Sequence, residues 1–184
     1  MNPAASAAPT ARLDPAALEA GDFPVVDGPD YRIHLTPATH EKILGHARES
    51  LKAEVCGVLV GRARRDRQGP FLEIVESIRG EHAASQGAQV TFTHETWAHI
   101  NREMDTRFPR LKIVGWYHTH PGFGIFLSQF DTFIQHSTFA GPTQVAYVVD
   151  PISAEEGFFA WRDGKIEPSR AYWIGNRIQV FEPR

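Results

Sequence analysis

Apolar and polar positions along the chain switch between a period of two and a period near 3.6, and the switches mark out its elements. Tyr31–Leu35 alternates and predicts a first strand. Thr36 then caps a helix with Pro37 at its first position, and Ile43, Leu44, Ala47 and Leu51 form its buried stripe to about Ser50. Val55–Val60 is a continuous apolar run, read as a central strand covered on both faces. Arg62–Pro70 is charged and reads as a hairpin loop, with Phe71–Ile78 returning antiparallel. Gly80–Ala88 is small and polar, read as a mobile loop. Val90–Phe92 is a short strand. Thr93 caps a second helix lined by Trp97, Ile100, Met104 and Phe108, with Phe92 stapled onto Trp97. Lys112–Tyr117 is a strand. Ser128 to about Phe139 is a third helix with Phe130, Phe133 and Ile134 inward, broken by Gly141-Pro142. Gln144–Val149 and Gly157–Arg162 form a hairpin, Asp163-Gly164 a turn, and Tyr172–Phe181 a last apolar segment with strand character.

The first thirty residues look different. Residues 1–12 are rich in Ala, Pro, Ser and Thr and are expected to be disordered. Asp14–Glu19 carries an N-cap, a Pro and helix formers, enough for one or two turns, and 22–30 reads as extended. The expected organisation is a flexible lead-in over 1–30 and one domain over 31–184. Three helices among six to eight strands, mostly in hairpins, predict an α/β layered fold on a mixed sheet.

Composition narrows the function classes. A hydrophobic share of 42% with 22% charged residues is ordinary for a soluble globular protein. A net charge of −3 offers no basic field for nucleic acid or an anionic membrane. Cys56 is the one cysteine, so no intrachain disulfide forms, which fits a reducing compartment. No apolar stretch approaches a membrane span and no secretory leader pattern opens the chain, so the cytoplasm is the expected location.

The chemistry gathers at His118-Thr119-His120-Pro121. Period two puts both histidines on one side of a strand, with Thr119 pointing away, and Pro121 suits a strand end. Gly122–Leu127 turns the chain, so Asp131, in the first turn of the third helix, can face back toward the imidazoles. Two imidazoles and a carboxylate are a catalytic zinc set, with a fourth position open to water. Asp131 also stands three residues after Ser128, as in a capping arrangement, and both readings can hold together. Glu54, at the entrance of the central strand, is the candidate base; taken alone it reads more readily as a solvated charge at a strand start. Cys56, inside an apolar run, reads as core. His34, His40, His46, His82, His94, His99 and His136 lack metal spacing with partners. Phe123, Ile125 and Phe126 suit either a cleft wall beside the metal or a turn folded onto the core.

Glu54, His118-Thr119-His120-Pro121, Ser128 and Asp131, at these spacings, resemble the motif of the JAMM (MPN+) zinc metalloproteases. The string GWYHTHPGFGIFLSQFD is similar to their eukaryotic deubiquitinase branch, and the resemblance covers residues 31 to about 165. It implies the MPN, cytidine-deaminase-like fold, a mixed curved sheet flanked by about three helices. It implies one catalytic zinc ion held by His118, His120 and Asp131, with Glu54 as general base and Ser128 as donor to the oxyanion. The implied activity is an isopeptidase that removes ubiquitin or a ubiquitin-like protein from lysine conjugates or C-terminal extensions. The long insertion of the eukaryotic branch is expected to be missing at Asp150–Gly157, and Ile174–Arg184 is not expected to form a C-terminal assembly helix. The chain therefore looks like a compact member of the kind that works beside bacterial ubiquitin-like conjugation enzymes. The alternatives are a JAMM peptidase acting on a sulfur-carrier protein or another peptide, and a non-catalytic MPN scaffold. A zinc deaminase would need Pro-Cys-x-x-Cys, which a single cysteine rules out.

Overall fold

The computed structural model describes residues 19–20, 32–66, 69–85 and 90–181. Along the chain, β1 (Glu19–Ala20) and β2 (Arg32–Leu35) precede helix α1 (Pro37–Arg48). Strands β3 (Cys56–Asp66) and β4 (Gly69–Arg79) form the long central hairpin. The short β5 (Ala84–Ser85) and β6 (Val90–Thr91) pair with each other ahead of α2 (His94–Arg107). Then come β7 (Lys112–Thr119), α3 (Gln129–Thr138), β8 (Val145–Asp150), β9 (Glu155–Arg162), β10 (Lys165–Pro168), β11 (Ala171–Ile174) and β12 (Arg177–Val180).

One mixed sheet runs in the order β10-β9-β8-β7-β3-β4-β2-β11-β12, with β1 beside the far end of β3. Its centre, β7-β3-β4, is antiparallel, while β7–β8, β2–β4 and β2–β11 are parallel. Register shifts at Leu59/Val60 and Val60/Gly61 bulge β3 against both neighbours and add to the sheet's twist. At Gly115 a side chain would run into the Val145 carbonyl, so the close approach of β7 to β8 requires glycine there.

Alternate residues of the central strands enter two separate cores. Leu59 and Tyr117 join Ile33, Leu72, Tyr147 and the α1 residues Ile43 and Ala47. Val58, Val60 and Trp116 join Ile100 of α2 and Ile134 of α3 on the opposite face. Coverage on both faces is why Val55–Val60 is apolar without a break. His118 and His120 share the parity of Trp116, so they belong to the α2/α3 face. This is the expected mixed, curved sheet flanked by three helices.

Several expectations change. Of the predicted turns over Asp14–Glu19, only Glu19 is described, and it and Ala20 pair as strand with Arg64 and Arg65. Residues 1–18, 21–31 and 86–89 lie outside the described residues, which takes in the rest of the lead-in and part of the Gly80–Ala88 loop. The charged Arg62–Pro70 stretch is mostly strand rather than loop. Glu73 accepts from Arg62 and Arg64 across the hairpin, and Arg32 grips Asp66 with two nitrogens. Helix α1 ends at Arg48, which leaves Leu51 exposed beyond it. Phe133 is exposed as well, because Asp131, Ile134 and Gln135 set the inner face of α3. The last apolar segment is a hairpin of two strands, turned at Gly175 with φ +58°. Among the described residues no helix is long and apolar enough to cross a membrane.

Candidate metal centre

Strand β7 delivers both imidazoles from a fully buried position. His118 pairs in register with Cys56 of β3 and Val148 of β8, and the His120 amide donates to Val149 O at 2.9 Å. Thr119 lies between them and ties β7 to the segment before β3. Its amide donates to Val55 O at 3.0 Å, and its Oγ1 accepts the Val55 amide at 2.9 Å. Those two bonds hold the neighbouring Glu54 against the histidines. The sequence showed Thr119 only as pointing away; a hydroxyl sent into an apolar layer needs a partner, and that was the available signal.

The carboxylate arrives through helix capping. Ser128 Oγ accepts the Asp131 amide at 3.1 Å, and Asp131 Oδ2 accepts the Ser128 amide at 2.7 Å. This reciprocal box fixes the first turn of α3. It leaves Asp131 Oδ1 3.4 Å from His118 Nε2 and Oδ2 3.5 Å from His120 Nε2. Capping and convergence on the imidazoles therefore coexist. The two Nε2 atoms are 3.0 Å apart, and Glu54 Oε1 stands 3.8 Å from His120 Nε2. Glu54, His118, His120 and Asp131 are all 5% exposed or less, so no bulk water screens them.

Electrostatics follow from that burial. Burial lowers the His118 imidazole below its usual value, against the pull of Asp131, and keeps it neutral. For Asp131, burial alone would raise the carboxyl. Its contacts with His118 and His120 outweigh burial and hold it well below the carboxylate range. Burial pushes Glu54 up to about 7; His120 draws it down and Asp131 adds to the rise. A carboxyl near 7 can both take and return a proton at neutral pH. Glu54 Oε2 is buried with no hydrogen-bond partner.

The donor set fits zinc. Ligand atoms of His118, His120 and Asp131 lie within 4.8 Å of one another, and among the described residues no other His, Cys, Asp or Glu cluster does this. His120 Nδ1 faces Gly124 O at 3.2 Å, so as a donor there it presents its Nε2 lone pair to the cluster. A neutral His118 imidazole beside an ionised Asp131 carboxylate matches the ligand state zinc takes. Ser128 is half-buried, and its hydroxyl also helps hold the Asp131 carboxyl low.

The remaining candidates lie elsewhere. His40 pairs with Glu156 at 2.7 Å, His46 with the Tyr117 hydroxyl at 2.8 Å, and His136 packs on Trp161. Cys56 is core, and burial pushes its thiol up to about 12. The loop after His120 is split between core and surface. Ile125 packs on the core, while Phe123 and Phe126 stay exposed on a groove of about 720 Å³, with the Phe126 ring 4.6 Å from His120.

Comparison with known proteins points to one family. The family model described as JAB1/Mov34/MPN/PAD-1 ubiquitin protease matches residues 30–140. The 26S proteasome regulatory subunit rpn11 of Schizosaccharomyces pombe is 32% identical over 140 residues, 74% of this chain and 44% of that protein. The ubiquitin carboxyl-terminal hydrolase RPN11 of Saccharomyces cerevisiae is 30% identical over 145 residues, 78% of this chain and 44% of that one. The COP9 signalosome complex subunit 5 of Eremothecium gossypii is 35% identical over 113 residues, 60% of this chain and 26% of that one. The chain thus spans less than half the length of these curated relatives. The solution structure of protein DSY2949 from Desulfitobacterium hafniense shares the fold, with a TM-score of 0.58 at 20% identity over 79% of this chain and 94% of that one.

Proposed function

The chain belongs to the JAB1/Mov34/MPN/PAD-1 family, and from that premise we propose that it is a zinc-dependent isopeptidase acting on ubiquitin or a ubiquitin-like protein. The observation that carries the reading is the buried convergence of His118, His120 and Asp131 with Glu54 beside them. The substrate class comes from the relatives, one of which is named a ubiquitin carboxyl-terminal hydrolase.

His118, His120 and Asp131 hold the ion. When bound, zinc supplies Lewis acidity for the scissile carbonyl and for the attacking water. Glu54 accepts the proton of that water on its unpartnered Oε2 and returns it to the departing lysine amine. Ser128, fixed by its cap, turns its hydroxyl from Asp131 to the oxyanion of the tetrahedral intermediate and donates to it. Phe123 and Phe126 form the apolar wall along which the substrate polypeptide lies.

The test uses the purified chain loaded with zinc. Lysine-linked ubiquitin conjugates, a ubiquitin-like fusion with a C-terminal extension, and unrelated peptides are offered in parallel. Cleavage at the modifier's terminal carbonyl, lost on chelation and restored by zinc, is the expected result. A chain that binds one zinc ion and cleaves only unrelated peptides, or nothing, overturns the isopeptidase reading.

A further inference from the structure

We propose that Asp150, which stands outside the metal-ligand and base set, is a positioning residue that sets the tautomer of His120 through Gly124. The inference rests on the zinc reading above only for its consequence in metal affinity.

Asp150 ends β8, beside the strand that carries the histidines, and is 1% exposed. Its carboxylate gathers four backbone amides. Oδ1 accepts from Gly122 at 2.9 Å, Ile152 at 2.9 Å and Ser153 at 3.2 Å, and Oδ2 accepts from Gly124 at 3.0 Å. These bonds hold the carboxyl ionised, down at about 2, although burial alone would raise it. The residue therefore ties two loops together: the one that leaves His120 and the 151–153 turn after β8. A buried charge satisfied by amides alone is a demanding arrangement, and only a two-oxygen acceptor completes it.

The consequence runs through one atom. Gly124 gives its amide to Asp150 Oδ2 and offers its carbonyl to His120 Nδ1. Gly122 and Gly124 adopt φ of +82° and +80°, the turn geometry that lets the loop face its amides to Asp150. With Gly124 anchored, its carbonyl accepts from Nδ1 and so favours the tautomer whose Nε2 is free to bind a cation shared with Asp131 and His118. Without the anchor, the neutral imidazole can carry its proton on either nitrogen.

Asp150→Asn is selective. The amide oxygen satisfies the three donors on the Oδ1 side, so the new NH2 faces the Gly124 amide and pushes it off. Gly124→Ala disturbs the same link from the other end: the added methyl meets nothing within 4 Å, but the backbone is strained at positive φ. Val145→Ala, in the core of β8, is the control for general loosening.

The experiment reads 15N-histidine NMR of the metal-free chain at a pH well above the imidazole range, then zinc affinity by chelator competition. The parent is expected to show His120 as one tautomer with the proton on Nδ1. Asp150→Asn and Gly124→Ala are expected to show both tautomers and to bind zinc about 10–100-fold more weakly. The double variant should be no worse than the weaker single. Val145→Ala should lower thermal stability with tautomer and affinity intact. A folded Asp150→Asn with the parent's tautomer overturns the proposal. So does an additive double variant, or an equal loss of affinity in Val145→Ala. If Asp150→Asn does not fold, Gly124→Ala decides by the same readouts. A parent that binds no zinc sinks the isopeptidase reading, while the tautomer measurement still judges Asp150.

Discussion

Glu54→Gln separates the chemistry of the centre from its architecture, because it keeps the side chain's size and removes its charge. In the metal-free folded chain the Glu54 carboxyl sits at about 7, against an ordinary 4.5. Between those values the folded chain holds a proton that the unfolded chain has released. Stability therefore falls as pH rises from 4.5 through 7 and levels off above it. At about 1.4 kcal/mol per pH unit the gap amounts to about 3 kcal/mol at most. Relaxation around the charge brings the expected figure to about 1–3 kcal/mol. His118 works the other way. Burial keeps it neutral in the folded chain, so below its ordinary 6.5 the unfolded state gains protons and stability rises with pH. The difference between variant and parent cancels that contribution. Urea unfolding with chelator present, at about pH 5 and about pH 8, should show the variant gaining about 1–3 kcal/mol on the parent toward the higher pH. With zinc restored, the variant should bind the ion and lose about 10²–10⁴ in turnover. A pH-independent offset would refute the electrostatic argument, and parent-like turnover would remove Glu54 from the chemistry.

Asp131→Asn keeps an oxygen for the Ser128 amide, so α3 stays capped, and loses the charge, so zinc content after gel filtration should fall well below one per chain. Ser128→Ala removes both the cap of α3 and the proposed oxyanion donor; about 1 kcal/mol of stability and about 10²-fold in kcat should go. Thr36→Ala, which uncaps α1, should lose similar stability and keep kcat, and a matching kcat loss there would reduce Ser128 to a cap. Thr119→Val strands the half-buried Val55 amide at a cost of about 1 kcal/mol and loosens Glu54; kcat should drop with zinc content unchanged.

What neighbours in the chain decide was legible in the sequence. The caps at Thr36, Thr93 and Ser128 stand where Ser and Thr precede helix formers. Phe92 stacks on Trp97 at 5.2 Å across one turn, and the buried strand at Val55–Val60 shows as an unbroken apolar run. What distant partners decide was not. Arg62 and Arg64 read as loop because nothing local announces Glu73 across the hairpin, and Asp66 finds Arg32 from 34 residues away. Phe133 reads as core until Asp131 is known to fix which face of α3 turns inward.

The candidate centre divides along the same line. His118, His120 and Asp131 lie within fourteen consecutive residues, and strand period plus a capped helical turn bring them to one point. Glu54 joins them only through the register of β3 on β7, and register is a long-range property. A slip of one residue would replace Glu54 by Ala53 or Val55 and turn every side chain of β3 to the other face. The two cores forbid that slip, since Leu59 would leave the α1 face and Val58 the α2/α3 face. The Thr119–Val55 bonds add a local latch at the end where the glutamate stands. The proposed base is therefore held by the packing of the whole sheet, whereas His120 alone among the candidate ligands takes its orientation from a loop. That loop is where a buried carboxylate with four amide partners is concentrated, and it is the part of the centre where a conservative substitution should do the most damage to the metal at the least cost to the fold.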